Sequence, residues 1–325
     1  MINIILLTFF MLLPCCFGVR NIVHLGGKSV AFLDRNYTTC MKGWAILIIM
    51  LCHCSTYWGV YYTPLGGIGV AIFLILSGYG LNESYKKNGL DGFWLKRIGR
   101  MMIPYTIVIA LMTLVCGYSW VWFLRNVLCI DTYYWFIAFM MYCYVLFWFV
   151  TVMPIFCKYR ICIFLLLCVP CFLYLNSEQA LSFTAGILLS HYKEQIIRIN
   201  EEKNRILTSV GVYLLLISML ALLVKQLPIV RESDCEMSMS VTNLILKFCG
   251  ALGCIIIFRN SLYFRNSSFL MFTGVISYEL YLVHYPFYTQ VGTSLWAMSL
   301  LVLLSFLVAW RFQKFNNRIL RLMCK

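Results

Sequence analysis

Four ionisable side chains interrupt segments that are otherwise apolar: His53, Lys247, Glu279 and His284. On insertion scales an ionisable side chain costs a few kcal/mol at the centre of a membrane helix, so each of these residues is a candidate functional residue. For His53 a catalytic role is favoured over an imidazole that is merely satisfied by a neighbouring carbonyl, because an unpaired imidazole is costly in lipid. A neutral imidazole in such a place can act as a general base.

The other three residues have alternative interpretations. Glu279 and His284 are five residues apart on one predicted helix and therefore do not share a face. Catalytic and structural roles remain equally open for both. Pro286 has no N–H and leaves a helical carbonyl free near His284. Lys247 is interpreted as a snorkelling or helix-pairing residue rather than as part of a site.

Three basic residues form the second candidate site. Arg97 and Arg100 are spaced i, i+3 on the helix that begins near Pro104, so their guanidinium groups are predicted to leave one face, with Lys96 beside them. Arginine forks match phosphate groups well. Simple anchoring of the cytoplasmic membrane face is the alternative explanation.

The composition places these residues in a membrane protein. Of the 325 residues, 62% are hydrophobic and 12% are charged, and the mean hydropathy is +0.85. A transmembrane helix needs about 20 apolar residues. Eleven candidate spans are predicted, at residues 2–18, 41–58, 66–82, 101–120, 135–153, 161–175, 179–190, 206–224, 241–258, 269–289 and 293–311. The sequence predicts an all-α polytopic bundle of about 10–11 spans without a soluble domain, because the polar stretches are too short to bury a core.

The basic residues indicate the orientation of the bundle. The net charge of +14 comes from short clusters between apolar runs, a pattern typical of membrane topology rather than of nucleic-acid binding. If residues 41–58 run from the cytoplasm outward, twenty-two of the 26 Lys and Arg residues fall on the cytoplasmic side. Only Arg125, Lys225 and Arg231 fall outside, and Lys247 lies within a span. The C-terminus is therefore predicted to be cytoplasmic.

Residues 2–18 are interpreted as a retained span rather than a cleaved signal peptide, because cleavage would invert every later span and no basic n-region precedes the apolar run. A misassigned start codon is the alternative. The chain is predicted to comprise an N-terminal span and linker (1–37), a membrane domain (38–311) and a basic cytoplasmic tail (312–325).

Metal binding and disulfides are not predicted. Most of the 16 cysteines lie in apolar runs, where a thiol behaves as a small hydrophobic group. Cys52-His53-Cys54 is the only Cys/His cluster, and alternate residues on a helix point in different directions.

Four segments occur together in order. They are Lys42-Gly43-Trp44-Ala45 before His53, Gly69 to Tyr79 with its Ser77-Gly78-Tyr79 end, Lys96-Arg97-Ile98-Gly99-Arg100 before Pro104-Tyr105, and Ser277-Tyr278-Glu279-Leu280-Tyr281-Leu282-Val283-His284-Tyr285-Pro286. Together they resemble integral-membrane acyltransferase family 3, enzymes that O-acetylate bacterial cell-surface glycans. The sequence departs from that family at Thr39, Lys42 and Ala71, where family members often carry Asp, Arg and an acidic residue.

The resemblance implies an acyl-CoA:glycan O-acetyltransferase in the bacterial cytoplasmic membrane, with acetyl-CoA or another acyl-CoA as co-substrate and a sugar hydroxyl of a surface or lipid-linked glycan as acceptor. It places the family's histidine on His53 and its arginine pair on Arg97 and Arg100. Glu279 and His284 are further catalytic candidates. Ser77, Tyr281 and Trp135 are cavity candidates. Anchoring at the membrane interface is the alternative for the two aromatic residues, because aromatic residues near span ends are more often anchors. The oligomeric state is left open.

Direct transfer is favoured over an acyl-enzyme formed on Ser77, Cys52 or Cys54. Two other classes of protein remain as alternatives. A proton-coupled transporter or flippase would use the same buried ionisable residues, but it would leave the arginine pair unexplained. A non-catalytic partner of a glycan assembly complex would tolerate His53→Ala.

Overall fold

The computed structural model describes residues 2–15, 33–202, 204–232, 236–288 and 294–323. These residues form helices joined by short turns, with no β-strand among them. The all-α class predicted from the sequence is therefore confirmed. The predictions for residues 16–32, and for 203, 289, 293, 324 and 325, lie outside the described residues.

We label the helices of eight or more residues α1 to α14. They are α1 (Ile2–Leu12), α2 (Arg35–Ser55), α3 (Thr63–Asn88), α4 (Phe93–Cys116), α5 (Trp120–Val127), α6 (Trp135–Val152), α7 (Arg160–Pro170), α8 (Ser182–His191), α9 (Lys193–Glu202), α10 (Asn204–Gln226), α11 (Glu236–Arg259), α12 (Ser268–Val275), α13 (Ser277–Tyr288) and α14 (Leu295–Met323).

Seven helices within the described residues are long and apolar enough to cross a membrane. Five of them contain α2, α3, α4, α6 and α11, and the other two, Ile206–Gln226 and Leu295–Leu322, lie within α10 and α14. The other four predicted spans also lie largely in helices where they are described, but these helices are shorter. Residues 161–175 fall in a helix that ends at Leu175, and the predicted span 269–289 is divided into α12 and α13 by a turn at Ile276.

The last helix changes the interpretation of the predicted tail. α14 continues without a break from Leu295 to Met323, so residues 312–323 form the end of that helix. Asn316 in this stretch is 4% exposed. A side chain that is so deeply buried belongs to a packed helix end.

The chain divides into two compact units. Unit 1 comprises Met1–Ser84 and Ile161–Val275, and unit 2 comprises Tyr85–Arg160 and Ile276–Lys325. In unit 1, α3 and α8 cross at Gly78 and Gly186. A Cβ on Gly78 would lie 2.2 Å from the carbonyl oxygen of Phe183, and one on Gly186 would lie 2.0 Å from that of Ile75. Glycine is required there because backbone meets backbone.

In unit 2, Asn126 holds the connection between α5 and α6. Its side chain donates to the carbonyl of Trp122 (2.9 Å) and accepts from the backbone N–H of Tyr133 (2.8 Å). The Tyr105 hydroxyl donates to the Asn126 carbonyl at 3.2 Å. Asn126 is 1% exposed, so these bonds satisfy polar groups that water does not reach. They fix the start of α6, where Trp135 lies.

Candidate active site

His53 lies in the last turn of α2 in unit 1. Counted from Arg35 at the start of the helix, it is about 27 Å along the axis at 1.5 Å per residue. Its carbonyl accepts a 2.7 Å hydrogen bond from Thr56 Oγ1, in the short 3₁₀ turn that follows. The side chain is half-buried, whereas the neighbouring Cys52 and Cys54 are buried. The imidazole is therefore the most accessible reactive group of this turn.

The glycines at the start of α3 allow two side chains to approach its backbone. A Cβ on Gly66 would lie 2.7 Å from Cys52 Sγ, and a Cβ on Gly67 would lie 2.3 Å from Lys247 Cε. The end of α2 and the middle of α11 therefore both pack on this dipeptide. Close packing explains the paired glycines without a nucleotide-binding role.

Lys247 pairs with an acidic residue in unit 1. Its ammonium group forms an ion pair with the carboxylate of Glu178. The neighbouring Gln179 donates a 3.0 Å hydrogen bond to the carbonyl of Gly67 and accepts one of 3.0 Å from Ser182 Oγ. The helix-pairing interpretation of Lys247 therefore has a specific partner.

Ser77 is half-buried in α3, directly before the glycine that packs against α8. It lies ten residues along α3 from Gly67, so about 15 Å of helix separates it from the contact between Gly67 and Lys247. Ser77 and His53 both belong to unit 1, but they lie on different helices.

The basic triplet of unit 2 lies in a deformed turn. Residues Ile98–Met102 form a π-helical turn inside α4, a geometry that the i, i+3 spacing does not reveal. Arg97 is half-buried, with its guanidinium carbon 5.7 Å from the ring centre of Phe93 and 5.4 Å from that of Tyr144. Arg100 is exposed. The two guanidinium groups therefore lie in different surroundings.

Lys96 is also exposed, and its ammonium group donates a 3.1 Å hydrogen bond to the carbonyl of Asp91. Lys96 and Arg100 thus offer positive charge at the surface, while Arg97 is held by aromatic rings that favour a cation over their faces. Such a set can bind an anion and orient it.

The first turn of α13 packs on the π-helical turn and on α14. The Tyr278 hydroxyl donates a 2.7 Å hydrogen bond to the carbonyl of Met101. Glu279 is 7% exposed, and its carboxylate accepts a 3.0 Å hydrogen bond from the Asn316 side chain. The carboxylate of Glu279 is therefore oriented by α14. The sequence alone does not indicate Asn316, because the basic residues around it predict a cytoplasmic tail.

His284 is 2% exposed in α13, and its Nδ1 lies 2.8 Å from the carbonyl of Leu280. A carbonyl only accepts, so Nδ1 carries the proton, and Nε2 is the basic nitrogen of the neutral ring. The carbonyl freed by Pro286 is that of Leu282, which accepts a 2.6 Å hydrogen bond from the Tyr134 hydroxyl.

Tyr281 belongs to an aromatic cluster in unit 2. It is 9% exposed, with its ring centre 5.7 Å from that of Tyr134 and 5.4 Å from that of Phe136. The ring of His284 lies 6.1 Å from that of Tyr281. Nearby Tyr133 has its pKa raised to about 12, chiefly by burial. The tyrosines of this cluster combine an apolar ring with a polar hydroxyl, which suits them to line a binding surface.

Trp135 differs from this cluster. It begins α6 and is 46% exposed, and its ring makes an edge contact with Phe136 at 6.2 Å.

The candidate residues predicted from the sequence are divided between the two units. His53 and Ser77 belong to unit 1, and Lys96, Arg97, Arg100, Trp135, Glu279, Tyr281 and His284 belong to unit 2. The described part of the chain contains no group of three His, Cys, Asp or Glu residues placed to hold a metal ion.

Comparison with known proteins supports an acyltransferase. The family model of an acyltransferase domain, acyltransferase family 3, matches residues 35–312, from the first residue of α2 into the C-terminal part of α14. No curated protein and no solved structure matches the chain significantly. The matched range includes all the candidate site residues, and the helices long enough to cross a membrane agree with an integral-membrane enzyme. The chain is therefore a multi-pass membrane protein that belongs to acyltransferase family 3.

Proposed function

We propose that the protein transfers an acyl group, most simply acetyl, from cytoplasmic acyl-CoA to a hydroxyl of a cell-surface or lipid-linked glycan. The family match over residues 35–312 carries this proposal, because it makes the chain an acyltransferase. The half-buried His53, in the last turn of α2, supplies a side chain that can accept a proton.

The donor is held at the start of α4. Lys96, Arg97 and Arg100 bind the phosphates of acyl-CoA, with Arg100 and Lys96 exposed for contact and Arg97 fixed between Phe93 and Tyr144. The predicted topology places these residues on the cytoplasmic side of the bacterial inner membrane, together with the C-terminus.

The transfer is a single acyl exchange. His53 takes the proton of the acceptor hydroxyl as its oxygen attacks the thioester carbonyl, and the C–O bond forms. The C–S bond then breaks, and the thiolate of CoA recovers a proton from the imidazolium. The products are a glycan ester and free CoA, so the step needs no metal and no oxidant.

Further candidate residues belong to unit 2. Glu279, oriented by Asn316, and His284, whose Nδ1 donates to Leu280, act as further catalytic groups. Within unit 2, Tyr281 and Trp135 contact the substrate with the aromatic residues near them. Within unit 1, Ser77 of α3 is a separate candidate for contact with substrate. These assignments extend the family match to residues of this chain.

The proposal is tested on the glycan of a deletion strain complemented with variants. His53→Ala removes the general base and is expected to lower O-acyl transfer by about 10²–10⁴-fold. The exposed His191 at the end of α8 provides the control, since His191→Ala changes a histidine of the same unit outside the proposed site. Mass spectrometry of the glycan measures the ester, and immunoblotting confirms equal amounts of protein.

Release of CoA by the purified protein separates an acyltransferase from a transporter, since a transporter releases none. A glycan that keeps its ester in the His53→Ala strain would contradict the role of His53. A glycan without any ester in the wild-type strain would contradict the proposed function itself.

A further inference from the structure

A cavity of about 370 Å³ lies in unit 1 and includes none of the candidate site residues. It is bounded by the first turn of α2, by the residues that directly precede α12 and by one face of α12. A volume of this size lies in the range of sites that bind small molecules. The side chains that line the cavity therefore indicate the class of ligand that it would fit.

The cavity is polar where α12 begins. Arg265 and Asn266 line it from the segment before α12, and Asn36 lines it from α2. The amide side chains of Asn36 and Asn266 make no hydrogen bond to any other residue that the structure describes. Amides without an internal partner at a cavity wall are available to a ligand.

Arg265 forms an ion pair with Asp34, but Asp34 does not line the cavity. A guanidinium group carries five N–H donors in a planar fork, so Arg265 can bind the carboxylate on one edge and present donors to the cavity on the other. The first turn of α12 adds the positive end of a helix dipole. The polar end thus suits a ligand oxygen that carries negative charge.

Farther along α12 the cavity is apolar. Met271, Phe272 and Val275 follow Ser268 at spacings of three, four and seven residues, so the four side chains lie on one face of the helix. At 1.5 Å per residue, Ser268 and Val275 are about 10 Å apart along the axis. Phe272 is 40% exposed and Val275 is 51% exposed, so this apolar face is open. The cavity therefore changes from polar to apolar along its length.

This gradient runs in the direction of the membrane. The distribution of basic residues predicts that Arg265 lies on the cytoplasmic side, and the apolar run predicted at 269–289 begins within α12. The polar end would then lie at the depth of the lipid headgroups and the apolar end in the hydrocarbon. A soluble anion matches only the first end, whereas a lipid with a phosphate headgroup matches both.

We propose that this cavity binds a phospholipid of the cytoplasmic leaflet. Arg265 and the two asparagine amides hold the headgroup phosphate, and the apolar face of α12 holds part of one acyl chain. The inference does not depend on the proposed function, because lipid binding can be measured without an acyl donor or an acceptor.

Native mass spectrometry of the full chain, delipidated in detergent, tests the inference by measuring the affinity for the first ligand bound. The probes are palmitoyl-oleoyl phosphatidylglycerol, the diacylglycerol with the same chains, and glycerol 3-phosphate. Phosphatidylglycerol is expected to bind about tenfold or more tightly than either fragment, because only the whole lipid contacts both ends of the cavity. Equal affinity for diacylglycerol would reveal unspecific apolar contact, and equal affinity for glycerol 3-phosphate would reveal a site for free phosphate. Either result would overturn the inference without the use of any variant.

Asn36→Ala/Asn266→Ala tests the polar end. The two amides make no hydrogen bond within the described part of the chain, so the variant should fold normally. It should bind phosphatidylglycerol about tenfold more weakly, because hydrogen bonds to a charged phosphate are lost. The control is Asn88→Ala, which changes an exposed asparagine at the end of α3 outside the cavity and should bind the lipid as the wild type does.

Val275→Trp tests the apolar end. The larger side chain fills the space for the acyl chain, so binding of phosphatidylglycerol should weaken severalfold while binding of glycerol 3-phosphate stays unchanged. Val212→Trp, at a 44% exposed position of α10, is the control. Wild-type lipid affinity in both folded cavity variants would overturn the inference. Displacement of the lipid by CoA would also overturn it, because the cavity would then belong to the acyl donor.

Discussion

The hydroxyl of Tyr134 donates a 2.6 Å hydrogen bond to the backbone carbonyl of Leu282, and both residues are buried. Within α13 that carbonyl has no donor four residues later, because Pro286 lacks an N–H. A side chain from the start of α6 thus satisfies the bond that proline removes. This contact ties the segment containing His284 to the aromatic cluster around Tyr281.

Tyr134→Phe is expected to destabilise the protein by about 1–3 kcal/mol, because a buried carbonyl loses its donor. The same substitution should cost less in a Pro286→Ala background, since an alanine in place of the proline restores a backbone N–H that can donate to the carbonyl of Leu282. Thermal unfolding of the four proteins in detergent gives the coupling free energy. Equal costs in both backgrounds would show that Pro286 does not create the need for Tyr134.

Glu279 and Asn316 give a prediction that separates catalysis from stability. Glu279→Gln keeps an amide oxygen that can accept from Asn316, so it should fold normally and lower kcat by about 10²-fold or more if the carboxylate acts on protons. Asn316→Ala leaves Glu279 in place without its 3.0 Å donor and should cost about 1–3 kcal/mol of stability. Transfer assays and thermal unfolding on both variants provide the two measurements. Wild-type kcat in Glu279→Gln would make Glu279 a structural residue.

The two arginines of the π-helical turn are expected to differ. Arg100→Ala removes an exposed cation, so it should raise the KM for acyl-CoA by about tenfold with little change in unfolding temperature. Arg97→Ala should raise the KM for acyl-CoA and also lower the unfolding temperature, because its guanidinium group also packs on Phe93 and Tyr144. Steady-state kinetics and thermal unfolding distinguish them. An unchanged KM in both variants would leave only a role in membrane topology.

The all-α class and the apolar segments could be predicted from the sequence, because hydrophobic runs are a local property. His53 was a candidate for the same reason, since an ionisable residue is conspicuous in such a run. The π-helical turn at Ile98–Met102 could not be found, because it depends on packing and not on the spacing of Arg97 and Arg100.

Contacts between residues that are distant along the chain could also not be predicted from the sequence. Asn316 is 37 residues from Glu279, and Glu178 is 69 residues from Lys247. Each lies in a stretch that looks like a loop or tail when only local polarity is considered. The helix-pairing interpretation of Lys247 anticipated a partner but not its identity.

The ion pair between Glu83 and Lys193 predicts a dependence of stability on pH. The pKa of the Lys193 ammonium group is raised, chiefly by its hydrogen bond to Glu83. A raised folded-state pKa means that this contribution is complete below the ordinary lysine pKa of about 10.4 and is lost as the pH rises through the higher folded value. Glu83→Gln should therefore lower the unfolding temperature at pH 8 and have less effect above pH ~11. An equal decrease in unfolding temperature at both pH values would contradict a stabilising contribution from this ion pair.

The crossing of α3 and α8 supplies a prediction with an internal control. Gly78→Ala places a Cβ 2.2 Å from the carbonyl oxygen of Phe183, and because backbone cannot rotate away, the helices must separate. The free energy of unfolding is expected to fall by about 1–3 kcal/mol or more, as in other overpacked cores. Gly80, two residues along α3, has no neighbour within 4 Å of an added Cβ, so Gly80→Ala should be neutral or stabilising by about 0.5–1 kcal/mol. Thermal unfolding measured with a thiol-reactive dye compares the two, and equal unfolding temperatures would show that α3 and α8 do not require this close approach.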